Sequence, residues 1–147
     1  MISHSMLLNL RQGEKINWGG ELIGKIRLGK NDRDYRLGDS LMISSWLSLN
    51  TLEWVQPSIK LSYIHWGRIT GEDTELTVPG AFPYPAPVTN PSLFGGEQAE
   101  VVVGFKFPLF SSSRYFEIEF GKPFYQHLNG PQSGEEFQFG LQFGMAY

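Results

Sequence analysis

The closing stretch FQFGLQFGMAY, residues 137–147, sets Phe137, Phe139, Leu141, Phe143, Met145 and Tyr147 at every second position, with Gln138, Gly140, Gln142, Gly144 and Ala146 between them. A β-strand sends successive side chains to opposite faces, so one face here is wholly apolar and mostly aromatic, the other small or polar. Edge strands of water-soluble sheets are usually blunted by charge, proline or brevity, because an apolar edge recruits other chains. This stretch is long and carries no charge. Two environments accept such a face: the interior of a soluble sandwich or barrel, or the hydrocarbon around a membrane barrel.

The same alternation recurs upstream and predicts seven strands, over residues 2–11, 17–28, 40–49, 54–69, 97–107, 114–121 and 137–147. In the first, Ile2, His4, Met6, Leu8 and Leu10 share a face. In the second, Trp18, Gly20, Leu22, Gly24, Ile26 and Leu28 oppose Gly19, Glu21, Ile23, Lys25 and Arg27, which puts three charges on one face and none on the other. The third aligns Leu41, Ile43, Leu47 and Leu49. The fourth sets Val55, Pro57, Ile59, Leu61, Tyr63 and Ile69 against Gln56, Ser58, Lys60, Ser62, Trp66 and Arg68, with Pro57 tolerable near a strand end. Val101, Val103, Phe105 and Phe107 oppose Glu100, Gly104 and Lys106 in the fifth, and Phe116, Ile118 and Phe120 oppose Glu117, Glu119 and Gly121 in the sixth. Connections after the first, third and fifth segments are short; those after the second, fourth and sixth are long. Tight turns on one rim and long loops on the other are what an outer-membrane barrel gives. The longest connection, about 70–96, would be out of place in a compact soluble domain. Single-chain bacterial barrels use even strand numbers, so a count of seven means that one strand escapes the pattern or that the chain begins inside a larger barrel.

Composition narrows the class. The 147 residues suit one region, 1–147, with a net charge of −3, no basic run and no cysteine. No nucleic-acid partner, disulfide framework or thiolate chemistry is indicated. No apolar run approaches the roughly 20 residues of a membrane helix, and a mean hydropathy of −0.22 is compatible with alternating barrel strands. Met1-Ile2-Ser3-His4-Ser5 has no signal-peptide pattern, so an exported form implies a peptide already removed or a longer parent protein.

The polar faces supply the candidate site. Glu21, Lys25, Arg27, Lys60, Arg68, Glu100, Lys106, Glu117 and Glu119 would line a lumen, with both signs present so that neighbours can pair. Such a wall suits water-filled space and small polar or amphipathic solutes; inward charge pairs that only hold a barrel together, or a solvated outer sheet, are the plainer accounts. Trp18, Trp54, Tyr63, Phe107, Phe110 and Tyr147 lie near strand ends, where they suit interfacial girdles or, equally, the caps of a soluble core. His4, His65 and His127 are not spaced as a metal site, and no cofactor is expected. Asn31, Asp32 and Asp34, or Glu72, Asp73 and Glu75, lack a full calcium-loop pattern. His4 and Ser5 point to opposite strand faces and make no nucleophile and base, so no enzyme is expected.

The terminal aromatic Tyr147, with Phe139, Leu141, Phe143 and Met145 at alternate places before it, resembles the C-terminal β-signal of bacterial outer-membrane barrels. The resemblance implies a closing strand read by the barrel-assembly machinery, and outer-membrane lipid as the surroundings. Further pieces resemble the C-terminal part of the MetA-pathway phenol-degradation family of outer-membrane transporters: Asn17-Trp18-Gly19-Gly20, Arg27-Leu28-Gly29-Lys30-Asn31-Asp32, Tyr35-Arg36-Leu37-Gly38-Asp39, Trp66-Gly67-Arg68-Ile69-Thr70-Gly71-Glu72-Asp73, Gly95-Gly96-Glu97 and Leu128-Asn129-Gly130-Pro131-Gln132. That family implies uptake of hydrophobic or aromatic compounds through a longer barrel with a signal peptide and earlier strands; no functional residues carry over. The expectation is therefore an all-β, antiparallel up-and-down transmembrane β-barrel with about seven strands present, the C-terminal part of a larger barrel, acting as a channel or transporter for a small-molecule solute. A soluble β-barrel binding a small apolar ligand, and a lipid-modifying outer-membrane enzyme, are the alternatives.

Overall fold

The computed structural model describes residues 2–12, 15–50, 52–80, 83–109 and 114–145. Seven strands follow one another: β1 (Ile2–Gln12), β2 (Ile16–Ile26), β3 (Ser40–Leu49), β4 (Gln56–Trp66), β5 (Gly96–Leu109), β6 (Arg114–Leu128) and β7 (Gln138–Met145). Two single-turn 3-10 helices, Pro87–Thr89 and Pro91–Leu93, lie in the connection between β4 and β5. The strands form one sheet in sequence order, each antiparallel to the next. Among the described residues β1 and β7 do not pair, and the sheet is open. Phe110 and Tyr147 lie outside the described residues, and of Met145 only the backbone is described.

Register carries the alternation across the sheet. One row runs Glu21, Ser44, Ser62, Glu100 from β2 to β5, and the next Gly19, Trp46, Lys60, Val102, Gly121, Gln138 from β2 to β7. Rows of the other face read Leu22, Ile43, Tyr63, Ala99, Tyr125 and Trp18, Leu47, Ile59, Val103, Phe120, Phe139. Directly opposed apolar and aromatic side chains each stabilise such a sheet by about 0.2–1 kcal/mol. Phe120 and Phe139, with ring centroids 5.1 Å apart and tilted by 54°, are one such pair.

Among the described residues no element packs on either face of this sheet, yet the two faces differ sharply. Ser44, Ser62 and Gln98 on the polar face are only 3%, 7% and 9% exposed, whereas Leu61, Leu141 and Phe143 on the apolar face are 50%, 60% and 62% exposed. A single layer can shelter one face only by curling toward it. Side chains two strands apart accordingly meet on the polar side, where Gln138 Nε2 of β7 reaches Glu100 Oε2 of β5 at 3.4 Å across Gly121 of β6. At Gly19 a Cβ would stand 2.5 Å from the Trp46 ring, so the absent side chain is what lets that indole lie against the strand. On the apolar side a Cβ at Gly24 would meet nothing within 4 Å.

Several strand limits differ from the sequence expectation. β4 ends at Trp66 rather than 69, because the chain is captured there by Gly67 N donating to Asp39 O at 2.8 Å and by the Arg36–Thr70 bridge. β2 likewise ends at Ile26 rather than 28. β6 continues to Leu128 instead of stopping at 121. Pro123 reads as a strand end because it lacks a donor, but here it sits in an irregularity of the ladder: Glu100 pairs with Pro123 and Ala99 with Tyr125, leaving Phe124 as the extra residue. The continuation also places Lys122 opposite Val101, a charge on the apolar face. The strand ends joined by the short connections (β1 to β2, β3 to β4, β5 to β6) lie at one rim and those joined by the long ones (β2 to β3, β4 to β5, β6 to β7) at the other, so loop length sorts by rim as expected.

Candidate functional site

The candidate site is the concave polar wall and the loops at its rim. β2 contributes Glu21 and Lys25, β4 Lys60, β5 Glu100 and Lys106, β6 Glu117 and Glu119, all placed on this face by the register. Arg27 follows directly after β2 and lines the same wall. Arg68 does not belong to it: beyond the end of β4, it is an exposed residue of the 67–95 connection.

The charges fall into three levels. At the loop rim a cleft of about 500 Å³ is lined by Lys25 and Arg27 together with Leu37, Ile64, Trp66 and Phe94, among others. In the middle, Glu21 and Glu100 flank the opposed pair Ser44 and Ser62. Toward the short-turn rim, a second cleft of about 370 Å³ gathers Lys60, Lys106, Glu117 and Glu119 around Asn17, Trp46 and Ser58. Lys106 Nζ lies 3.8 Å above the Tyr115 ring, a cation–π contact that fixes its reach. The Ser44 and Ser62 hydroxyls and Asn17 Oδ1 are shielded yet meet no protein partner. In a dry interior each such group would cost about 1–3 kcal/mol.

The three long connections are tied together at their rim. Arg27 N donates to Asp39 Oδ1 at 2.8 Å, the Arg27 guanidinium donates to Gly38 O, and Arg36 Nη1 donates to Arg27 O at 2.8 Å. Arg33 Nη1 bridges from 27–39 to 67–95 through Asp73 Oδ2 at 2.9 Å and Glu75 Oε2 at 3.5 Å. The hydrogen bond from Arg33 holds the Asp73 carboxyl below the usual range against the opposing effect of burial, and the Glu75 N–H adds to it. From 129–137, Gln132 Nε2 donates to Leu93 O and Gly95 O at 3.1 and 2.8 Å, and Asn129 Nδ2 to Phe94 O at 3.1 Å. Gly38 meets Gly67 so closely that a Cβ on the former would overlap the latter's carbonyl. Asn31 Oδ1 accepts the N–H groups of Arg33 and Tyr35, and Glu72 accepts from the Tyr84 hydroxyl at 2.8 Å, so these loop acids and amides organise the loops themselves. Among the described residues no three His, Cys, Asp or Glu side chains gather as a metal site.

On the apolar face, the row at the loop rim turns polar beyond Leu41: His65, Glu97 and His127 stand side by side. Tyr63 and Tyr125 donate to the two Glu97 oxygens at 2.5 and 2.6 Å, and His127 Nδ1 lies 3.8 Å from Oε1. This grouping, like the apolar convergence of Leu37, Ile69 and Phe94 at the loops, was not legible from alternation, since it depends on strand register and loop crossing. Trp18 and Trp54 are exposed toward the opposite rim, at 40% and 68%. No protein-family model matches the chain, and neither does any curated protein or solved structure.

Proposed function

We propose that this chain forms part of the wall of a transmembrane β-barrel in a bacterial outer membrane, acting as a channel or transporter for small polar or amphipathic solutes. The observation that carries this reading is the inverted burial of the sheet: serines, glutamine and charges on the sheltered concave face, leucines and phenylalanines on the open one. A water-soluble barrel needs the reverse, because burying apolar surface is what drives its folding. A soluble binder of an apolar ligand would turn Leu22, Ile43 and Leu61 inward; here they are 42%, 49% and 50% exposed.

Strand length agrees for four of the strands: β1, β2 and β4 have 11 residues and β3 has 10, against the roughly 9–11 that a tilted membrane strand requires, while β5, β6 and β7 have 14, 15 and 8. Charges of both signs on the concave face would keep the bore polar. β1 and β7 run in the same direction, so antiparallel closure calls for an odd number of further strands, in keeping with a larger barrel. The β-signal resemblance of Phe139, Leu141, Phe143, Met145 and Tyr147 adds the assembly machinery as a partner, and the transporter-family resemblance adds uptake as the activity. The test is reconstitution: the protein should fractionate with outer membranes, run differently on heated and unheated gels, and make liposomes permeable to small solutes. Recovery as a monodisperse species in plain buffer, with no membrane association, would refute the reading.

A further inference from the structure

We infer that the rim cleft between β2, β4 and the loops is a binding site for small amphiphilic monoanions, a carboxylate carried on an apolar body. The inference rests on the proposed pore, which gives a solute reason to reach this wall, and it names the class of solute the upper level would hold.

Three observations support it. The cleft is charged with one sign: Lys25 and Arg27 line it, and no Asp or Glu does. Among the described residues Lys25 has no ion-pair partner, and the Arg27 guanidinium is held toward Gly38 O, leaving further N–H groups. The remainder of the lining is mostly apolar, with Ile64 and Trp66 from β4, Leu37 from the first long connection, and Ile69 and Phe94 from the second. Gln98, the main neutral polar group there, is already committed to Glu135 and Gln126. The cleft's volume of about 500 Å³ accommodates a one-ring or short-chain molecule together with water.

A second hollow of about 280 Å³ among the loops shares Leu37, Ile69 and Phe94 with the first, and its own lining includes Glu72 and Asp73, the latter paired with Arg33. The apolar body of a solute in the cleft therefore has these three side chains to lie against, with its anionic end at Lys25 and away from those acids. A cation meets two positive charges there, and a neutral alcohol forgoes the ion pair. The carboxylates of Glu21 and Glu100, one level deeper, repel an anion from going further unless it is neutralised, so the rim is where it dwells.

The experiment uses the full chain folded in nanodiscs of zwitterionic lipid, with empty nanodiscs as reference, and titrates benzoate, benzyl alcohol and benzylamine by calorimetry or saturation-transfer NMR. Benzoate should bind saturably, about tenfold more tightly than benzyl alcohol, with benzylamine weakest; charge-assisted contacts are worth about that factor. Lys25→Gln should weaken benzoate about tenfold and leave benzyl alcohol unchanged, while Lys15→Gln, exposed at the opposite rim and outside the polar wall, should change neither. Phe94→Ala, whose backbone carbonyl still accepts from Asn129, should weaken both ligands together and serves where Lys25→Gln fails to fold. The inference is overturned by no saturable benzoate binding, by benzylamine binding as tightly as benzoate, or by a Lys25→Gln affinity within twofold of the original. Solute flux in liposomes is measured in parallel. Flux without a benzoate site sinks this inference alone, whereas a benzoate site without flux sinks the pore and leaves the site standing.

Discussion

Replacing Leu61 by arginine separates a lipid-facing sheet from a water-facing one. Leu61 is the sixth of the 11 residues of β4, is 50% exposed, and lies between Ser45 and Val101 on the apolar face. Five residues on either side span about 17 Å along the strand at roughly 3.3 Å each. A tilt of about 40° brings that to about 13 Å along the membrane normal, which is half of an apolar band roughly 25 Å tall. Leu61 thus sits near the midplane, where arginine costs about 2–4 kcal/mol. An exposed leucine of a water-soluble protein changed to arginine shifts stability by no more than about 0.5 kcal/mol. The assay is urea-dependent unfolding from liposomes, followed by tryptophan fluorescence, with Lys60→Arg on the polar face as a control expected to be neutral. A Leu61→Arg change within about 0.5 kcal/mol of zero would refute the membrane orientation of this face.

Further outcomes follow from the same geometry. Lys122 opposes Val101 on the apolar face, so Lys122→Leu should raise stability in the bilayer by up to about 2 kcal/mol in the same unfolding assay, and no gain would mean that the ammonium already reaches water. Gly19→Val should displace the Trp46 indole, visible as an altered tryptophan emission, with a loss of about 1–3 kcal/mol from overpacking. The Asp73 carboxyl, held below its ordinary value by Arg33, contributes loop order that is fully present above about pH 4 and lost as pH falls through its depressed value. Amide exchange of 67–95 should therefore be slow at pH 5 and speed up beyond its intrinsic pH trend toward pH 2, and Arg33→Ala should abolish that transition.

Alternation made the strands legible because a two-residue period survives in any environment that distinguishes two faces. Loop lengths were legible for the same reason, as gaps in the pattern, and they sort by rim in the fold. What alternation cannot encode is the direction of curl; that goes with small residues lying on one side, where the Trp46 ring lies against Gly19 and Ser44 and Ser62 are buried. Pro123 misled because its missing donor looks like a strand end, whereas an extra residue, Phe124, lets the ladder resume beyond it. Arg68 misled because the alternation runs on past Trp66 in sequence while the backbone turns to meet Asp39 and Arg36. The polar wall was otherwise readable residue by residue, but its division into a basic rim, an acidic middle and a mixed lower cleft needed the register of neighbouring strands.

The most direct test uses the absence of native cysteine: single cysteines at positions 58 to 64 along β4, each spin-labelled in the reconstituted protein, report contact with oxygen or with a water-soluble nickel chelate. Labels at Ile59, Leu61 and Tyr63 should be preferentially accessible to oxygen, those at Ser58, Lys60, Ser62 and Ile64 to nickel, with a period of two. Uniform nickel accessibility, or the opposite phase, would contradict the account.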